Sequence, residues 1–171
     1  MTHPPTRQQA TPFDLPAATH SYLARAAASL HEAMTTSEIS MRYACAHVAA
    51  LRATAALLAA RATPALPVRR GRQKNAWVLL AEVAPELAEW ASFFAAGAAK
   101  RAAAESGSRR AVTEREADDL VRDADRFLGL VEESLGMTRH LPRQELLPAV
   151  SAGRHRPGGP GGRGRPCDHV A

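Results

Sequence analysis

Arg42 and His47 are separated by four residues in the segment Arg-Tyr-Ala-Cys-Ala-His, an R-x4-H arrangement. No other pair in the 171-residue chain is better suited to chemistry. A histidine can act as general base on a ribose 2′-OH, and an arginine can hold the phosphate and the charge that develops on it. Together they would cleave RNA without a metal. The competing reading is a hydrogen-bonded histidine in a seam between helices. Spacing alone does not decide. With 20 arginines and seven histidines in the chain, chance predicts about 2.5 pairs between R-x4-H and R-x6-H. Three occur: Arg25–His31, Arg42–His47 and Arg163–His169. Residues five apart also point about 140° apart on a helix. The two side chains would therefore meet only on something lodged between helices or protomers.

A second candidate is the basic run Val-Arg-Arg-Gly-Arg-Gln-Lys, in which Arg69, Arg70, Arg72 and Lys74 could contact a nucleic-acid backbone ahead of a helix. Its alternative is a solvated loop. Metal chemistry finds no support: Cys167 and His169 have only His155 nearby, and no HExxH, CxxC or paired acidic motif occurs. No cofactor is expected. The chain has no G-x-x-x-x-G-K-[ST] loop and no G-x-S-x-G, which removes the classical ATPase and hydrolase classes. His3, His20 and His140 have no partner by spacing.

The elements that would position these residues read as helices throughout. A first helix starts near Pro16, a residue suited to a first turn, and runs to about Met34. Thr35 and Glu38 have the spacing of a capping box, so a second helix follows at once as an antiparallel neighbour. In that helix Ile39, Tyr43, His47, Ala50, Leu51, Thr54, Leu57 and Leu58 share one arc, with Arg42 at its flank. Pro64 and Pro67 stop it near Ala62. Asn75 can cap a short helix over 76–84, and Pro85 separates this from a longer one running to about residue 105. Thr113 and Glu116 form a second capping box for the last helix, which carries Leu120, Ala124, Phe127, Leu128 and Val131 at helical period and stops at Gly136. Arg115–Asp119 and Asp118–Arg122 have i, i+4 spacing on its wet face. No strand pattern and no fixed-period repeat is present. The expected fold is all-α, an up-and-down bundle of four to five helices over residues 16–136. A disordered lead-in (1–15) and a disordered Gly/Pro/Arg-rich tail (137–171) flank it.

Charge is spread unevenly. The net charge is +5, yet residues 137–171 hold six arginines against Glu145 and Asp168, so the preceding residues carry only +1. A basic tail favours polyanions in general. Cys45 and Cys167 read as two reduced thiols. The N-terminus lacks the apolar stretch of a signal peptide. The longest apolar run, Trp90 to Ala99, is too short to cross a bilayer. A cytoplasmic location without membrane attachment is expected.

Three segments together, RYACAHVAALRATAALLAAR, AWVLLAEVAPELAEWASFFAAGAAKRAAAESG and RRAVTEREADDLVRDADRFLGLVEESLG, resemble the actinobacterial stand-alone HEPN domains (higher eukaryotes and prokaryotes nucleotide-binding). The resemblance covers about residues 20–136. It implies a helical bundle that often dimerises. Many superfamily members are metal-independent RNases of toxin or defence systems with an R-x4-6-H motif at the dimer seam; others have lost the motif and serve as binding or dimerisation modules. Carried onto this chain, Arg42 would be the phosphate clamp and His47 the base. Two features depart from active members: Tyr43 follows the arginine where a polar residue is usual, and the motif lies as early as the second helix. Two functions are therefore carried forward. One is a HEPN-type domain acting on RNA or nucleotide as a homodimer, an endoribonuclease in its strongest form. The other is a non-catalytic dimerisation or protein-interaction module, with an antitoxin-like protein as one partner and His47 structural.

Overall fold

A computed structural model describes residues 15–61, 75–108 and 110–140. Five α-helices follow in order: α1 (Ala17–Thr35), α2 (Ile39–Arg61), α3 (Ala76–Val83), α4 (Ala88–Glu105) and α5 (Glu114–Ser134). A 3-10 turn, Pro85–Leu87, leads into α4. No strand occurs among the described residues. The all-α expectation holds. The lead-in to residue 14, the basic run 69–74 and the tail from 141 lie outside the described residues.

The helix boundaries follow from local chemistry. Asn75 accepts from the Trp77 amide at 3.0 Å and starts α3. The Thr113–Glu116 box forms in both directions: the Thr113 amide reaches Glu116 Oε2 at 2.8 Å, and the Glu116 amide reaches Thr113 Oγ1 at 3.3 Å. Gly136 closes α5 at φ 72°, a left-handed position that glycine takes without cost. The Thr35–Glu38 box does not form. Thr35 is the last residue of α1 and its hydroxyl turns back to the His31 carbonyl at 2.9 Å. Glu38 caps α2 alone, its carboxylate accepting from the Ser40 and Met41 amides. Pro85 does not open α4 directly. Its ring removes a donor, and the chain tightens into the 3-10 turn before the α-helix begins.

The bundle is built around α2. It packs against α1 along its length and also meets α5, α4 and α3. The single arc expected for α2 is therefore too narrow. Ala44, Ala46, Ala49, Ala53 and Ala56, outside that arc, are buried as well. By length and composition α2 could cross a membrane, but most of it is buried among the other helices. Arg42, His47 and Arg52 interrupt its apolar sequence, which is why it escapes a search for uninterrupted apolar runs. The larger side chains gather on one side of it. Phe94 stacks on Trp77 at 5.3 Å between ring centroids and lies 5.2 Å from Phe127, which in turn meets Trp90 at 5.7 Å.

His140 has partners after all. Past Gly136 the chain folds back along α5, where His140 Nδ1 lies 2.6 Å from Glu132 Oε2 and Nε2 lies 3.0 Å from Asp125 Oδ1. The His140 amide also donates to Glu132 at 2.9 Å. The hydrogen bonds to Asp125 and Glu132 push the imidazole up to about 9. Helical spacing could not reveal this clasp, because a turn brings its three residues together. A folded-state pKa above the ordinary histidine value makes protonation stabilising. The stabilisation is complete below about pH 6.5, declines above it and is lost as pH passes about 9. Thermal melts of wild type and His140→Ala from pH 6 to 10 should show a gap that narrows through this window. A gap independent of pH would show that protonation contributes nothing.

Candidate functional site

Four polar residues of α2 each bind a different neighbour. Arg42 Nη1 reaches Asp118 Oδ1 on α5 at 2.5 Å and Glu114 at 3.9 Å, while Nη2 reaches the Thr36 carbonyl at 3.4 Å. His47 reaches α4: its Nε2 lies 2.9 Å from the Phe94 carbonyl oxygen. Arg52 donates to Ser29 and to the Arg25 carbonyl on α1. Arg61 donates to Glu86 at 2.7 Å and to the Val83 carbonyl at 3.2 Å, beside the 3-10 turn.

Arg42 and His47 are thus sent to different places. Among the described residues no partner is shared between them: Arg42 serves the start of α5, and His47 serves α4 and α3. His47 is 1 % exposed and meets Trp77 and Phe94 edge-on, at 5.6 and 6.0 Å. Burial lowers its pKa, so the ring is neutral at pH 7. Donation to a carbonyl places the proton on Nε2, and Nδ1 has no hydrogen-bond partner among the described residues. Asp118, taken by Arg42, does not form the expected pair with Arg122, which turns to Asp119. Arg69, Arg70, Arg72 and Lys74 lie outside the described residues, as do His155, Cys167 and His169. Among the described residues no group of three His, Cys, Asp or Glu side chains is placed to hold a metal ion.

The concave surface of this region lies between α4 and α5. Both helices pack on α2 and meet each other through side chains, Phe127 with Trp90 and Phe94 and Glu116 with Lys100. A cavity of about 490 Å³ opens between them, lined by Phe93, Lys100, Glu116 and Asp123 with Tyr43 and Leu120 also in its wall. It adjoins a smaller one of about 250 Å³ that reaches His47 and Gly97. Gly97 eases this closeness: a Cβ there would stand 3.0 Å from the Tyr43 hydroxyl and 3.4 Å from the His47 ring, and one of them would have to give way slightly. Lys100 bridges the two helices with a 2.5 Å contact to Glu116. That bond, followed by those from Thr113, draws the Glu116 carboxyl down to about 2. Burial raises the Tyr43 phenol, which stays neutral. The sequence held one signal for this groove, Tyr43 one helical turn before His47. Phe93, Gly97, Lys100 and Asp123 gave none, because the groove forms only when α4 and α5 both pack on α2.

The all-α bundle of the described residues is consistent with a HEPN-type domain. The profile of the SAV_6107-like HEPN family matches residues 33–132, from the last turn of α1 into the last turn of α5. The match covers more than half of the chain, and the chain belongs to this family. Neither the curated proteins nor the solved structures show a match.

Replacing His47 tests its structural part. His47→Ala should cost about 2–4 kcal/mol, the usual range for emptying a buried site of this size. A depressed folded-state pKa gives stability that is present above the ordinary histidine value and lost as pH falls. The wild type should therefore lose stability as pH falls below about 6.5, and His47→Leu, which cannot charge, should lose less. Equal losses in the two proteins would exclude a buried neutral imidazole.

Proposed function

We propose that this HEPN-type domain is a non-catalytic helical module that acts by docking a protein, with Arg42 and His47 holding α2 in place. One observation carries the reading: His47 is 1 % exposed, and its Nε2 is taken by the Phe94 carbonyl. A general base must come within hydrogen-bond reach of the proton it removes. While Nε2 gives its proton to the Phe94 carbonyl, it has no lone pair with which to take one from a ribose hydroxyl, although the smaller cavity reaches the edge of the ring. Arg42 adds to this, since a guanidinium already held by Asp118 and Glu114 would have to leave both to clamp a phosphate. The groove between α4 and α5 points the same way. Its cations Lys100, Arg122 and Arg126 each have a carboxylate within 4.0 Å, which leaves little to attract a polyanion.

The test is cleavage of end-labelled mixed-sequence RNA in EDTA by wild type and by a His47→Ala variant shown by circular dichroism to be folded. Neither protein should cleave at any concentration tried. Cleavage by wild type that disappears in the folded variant would overturn the module reading and place a metal-independent RNase centre at His47.

A further inference from the structure

The chain does not leave α5 off its C-terminal end. The helix closes with a turn in which the Gly136 amide donates to the Glu133 carbonyl at 3.0 Å and the Met137 amide to the Glu132 carbonyl at 2.9 Å. Gly136, at φ 72°, reverses the direction. The next residues run back along α5 and are fastened at three points. Met137 packs against the core. Arg139 lies across Gly129, where a Cβ would stand 2.4 Å from its Nε, and donates to the Arg126 carbonyl at 3.5 Å. His140 closes the row. Protonated at neutral pH, it donates from Nδ1 to Glu132 and from Nε2 to Asp125, and its amide donates to Glu132 as well. The two carboxylates are seven residues apart, so the imidazolium bridges two turns of the helix.

We propose that Gly136–His140 is a releasable strap, which pivots at Gly136 and opens while the five helices stay folded. Its fastenings argue for this. Met137 is its one apolar side chain, and the rest of its hold is polar. Segments with few buried apolar groups open at a lower free energy than the core they lie on. Opening costs the bundle none of its helix packing: α5 keeps its contacts with α2 and α1, while Asp125, Glu132 and the imidazole gain water. The consequence is positional. Closed, the strap brings residue 140 between Asp125 and Glu132, about 11 Å back from Gly136 at 1.5 Å per residue. Open, the chain starts from the end of α5. Residues 141–171 come next, with five arginines against Glu145 and Asp168. The clasp thus sets whether this basic segment begins on the flank of the bundle or off its end. None of this depends on the part played by His47.

The experiment is tryptic cleavage of the full chain after Arg139, read by mass spectrometry of the 1–139 fragment and normalised to an unstructured peptide substrate. The bond cannot enter the protease while the strap is closed, so the rate reports opening. Between 0 and 1 M urea the wild-type rate should change less than about twofold, because opening the strap exposes little surface. A strap that opens only when the bundle unfolds would give a rise of at least about fivefold, and that result would overturn the proposal. Glu132→Gln and Asp125→Asn leave the cleaved sequence untouched. Each, shown by circular dichroism to be folded, should speed cleavage about tenfold, the weight of a charge-assisted hydrogen bond. Glu133→Gln removes the same charge from an exposed neighbour and should change the rate less than about twofold. Equal rates in all four proteins would mean that the clasp does not hold the strap and would overturn the proposal. So would equal acceleration by Glu133→Gln, which would mean a general effect of charge on α5.

Discussion

Everything in this bundle depends on the burial of α2, a helix whose buried residues are mostly alanine. Each buried alanine removes little area from water, so at about 25 cal/mol per Å² the gain per residue is small. Small side chains compensate by letting four neighbours approach closely, and α2 is buried nearly all the way round. Gly97 takes the same device to its limit on α4, where the absent side chain admits Tyr43 and His47. The aromatic side chains enter together, as the Trp77, Trp90, Phe94 and Phe127 cluster. The domain is thus a close-packed alanine seam with an aromatic plug beside it.

The groove is a by-product of that arrangement. Two helices that pack on a third and meet each other only through side chains leave a channel between their backbones. Here it is tied near one end by Lys100–Glu116 and near the other by the contacts of Phe127 with Trp90 and Phe94. Glu116 has a double part, capping α5 and receiving Lys100 from α4. The cap and the bridge therefore share one carboxylate, and the start of α5 is coupled to the far end of α4.

What the sequence disclosed was local. Asn75, the Thr113–Glu116 box and Gly136 marked their helix ends correctly, because caps are decided by neighbours within one turn. The family resemblance carried the fold. The Thr35–Glu38 box had the right spacing, but the hydroxyl found the end of its own helix first. The arc on α2 was read too narrow because the alanines spread around the helix add burial without adding to its period. His140 and the groove were out of reach for another reason. Both are made by segments that meet only in three dimensions: a turn over α5 in one case, two helices on a common support in the other. The R-x4-H pair was visible from the start, but which neighbours would claim each end was not.

An alanine helix inside a ring of neighbours has little on its surface to oppose rotation about its own axis. Large side chains that would fix such an angle are few on its buried surface, Tyr43, His47 and Leu57 being the main ones. Arg42 and His47, about 140° apart around that axis, bind α5 and α4 respectively. A turn of α2 in either direction moves both away from their partners at once. Arg52 and Arg61 repeat the constraint further along, against α1 and the start of the α4 segment. Four polar residues in an otherwise smooth cylinder thereby act as keys on a shaft, and the spacing that resembles a catalytic motif sets its angular position.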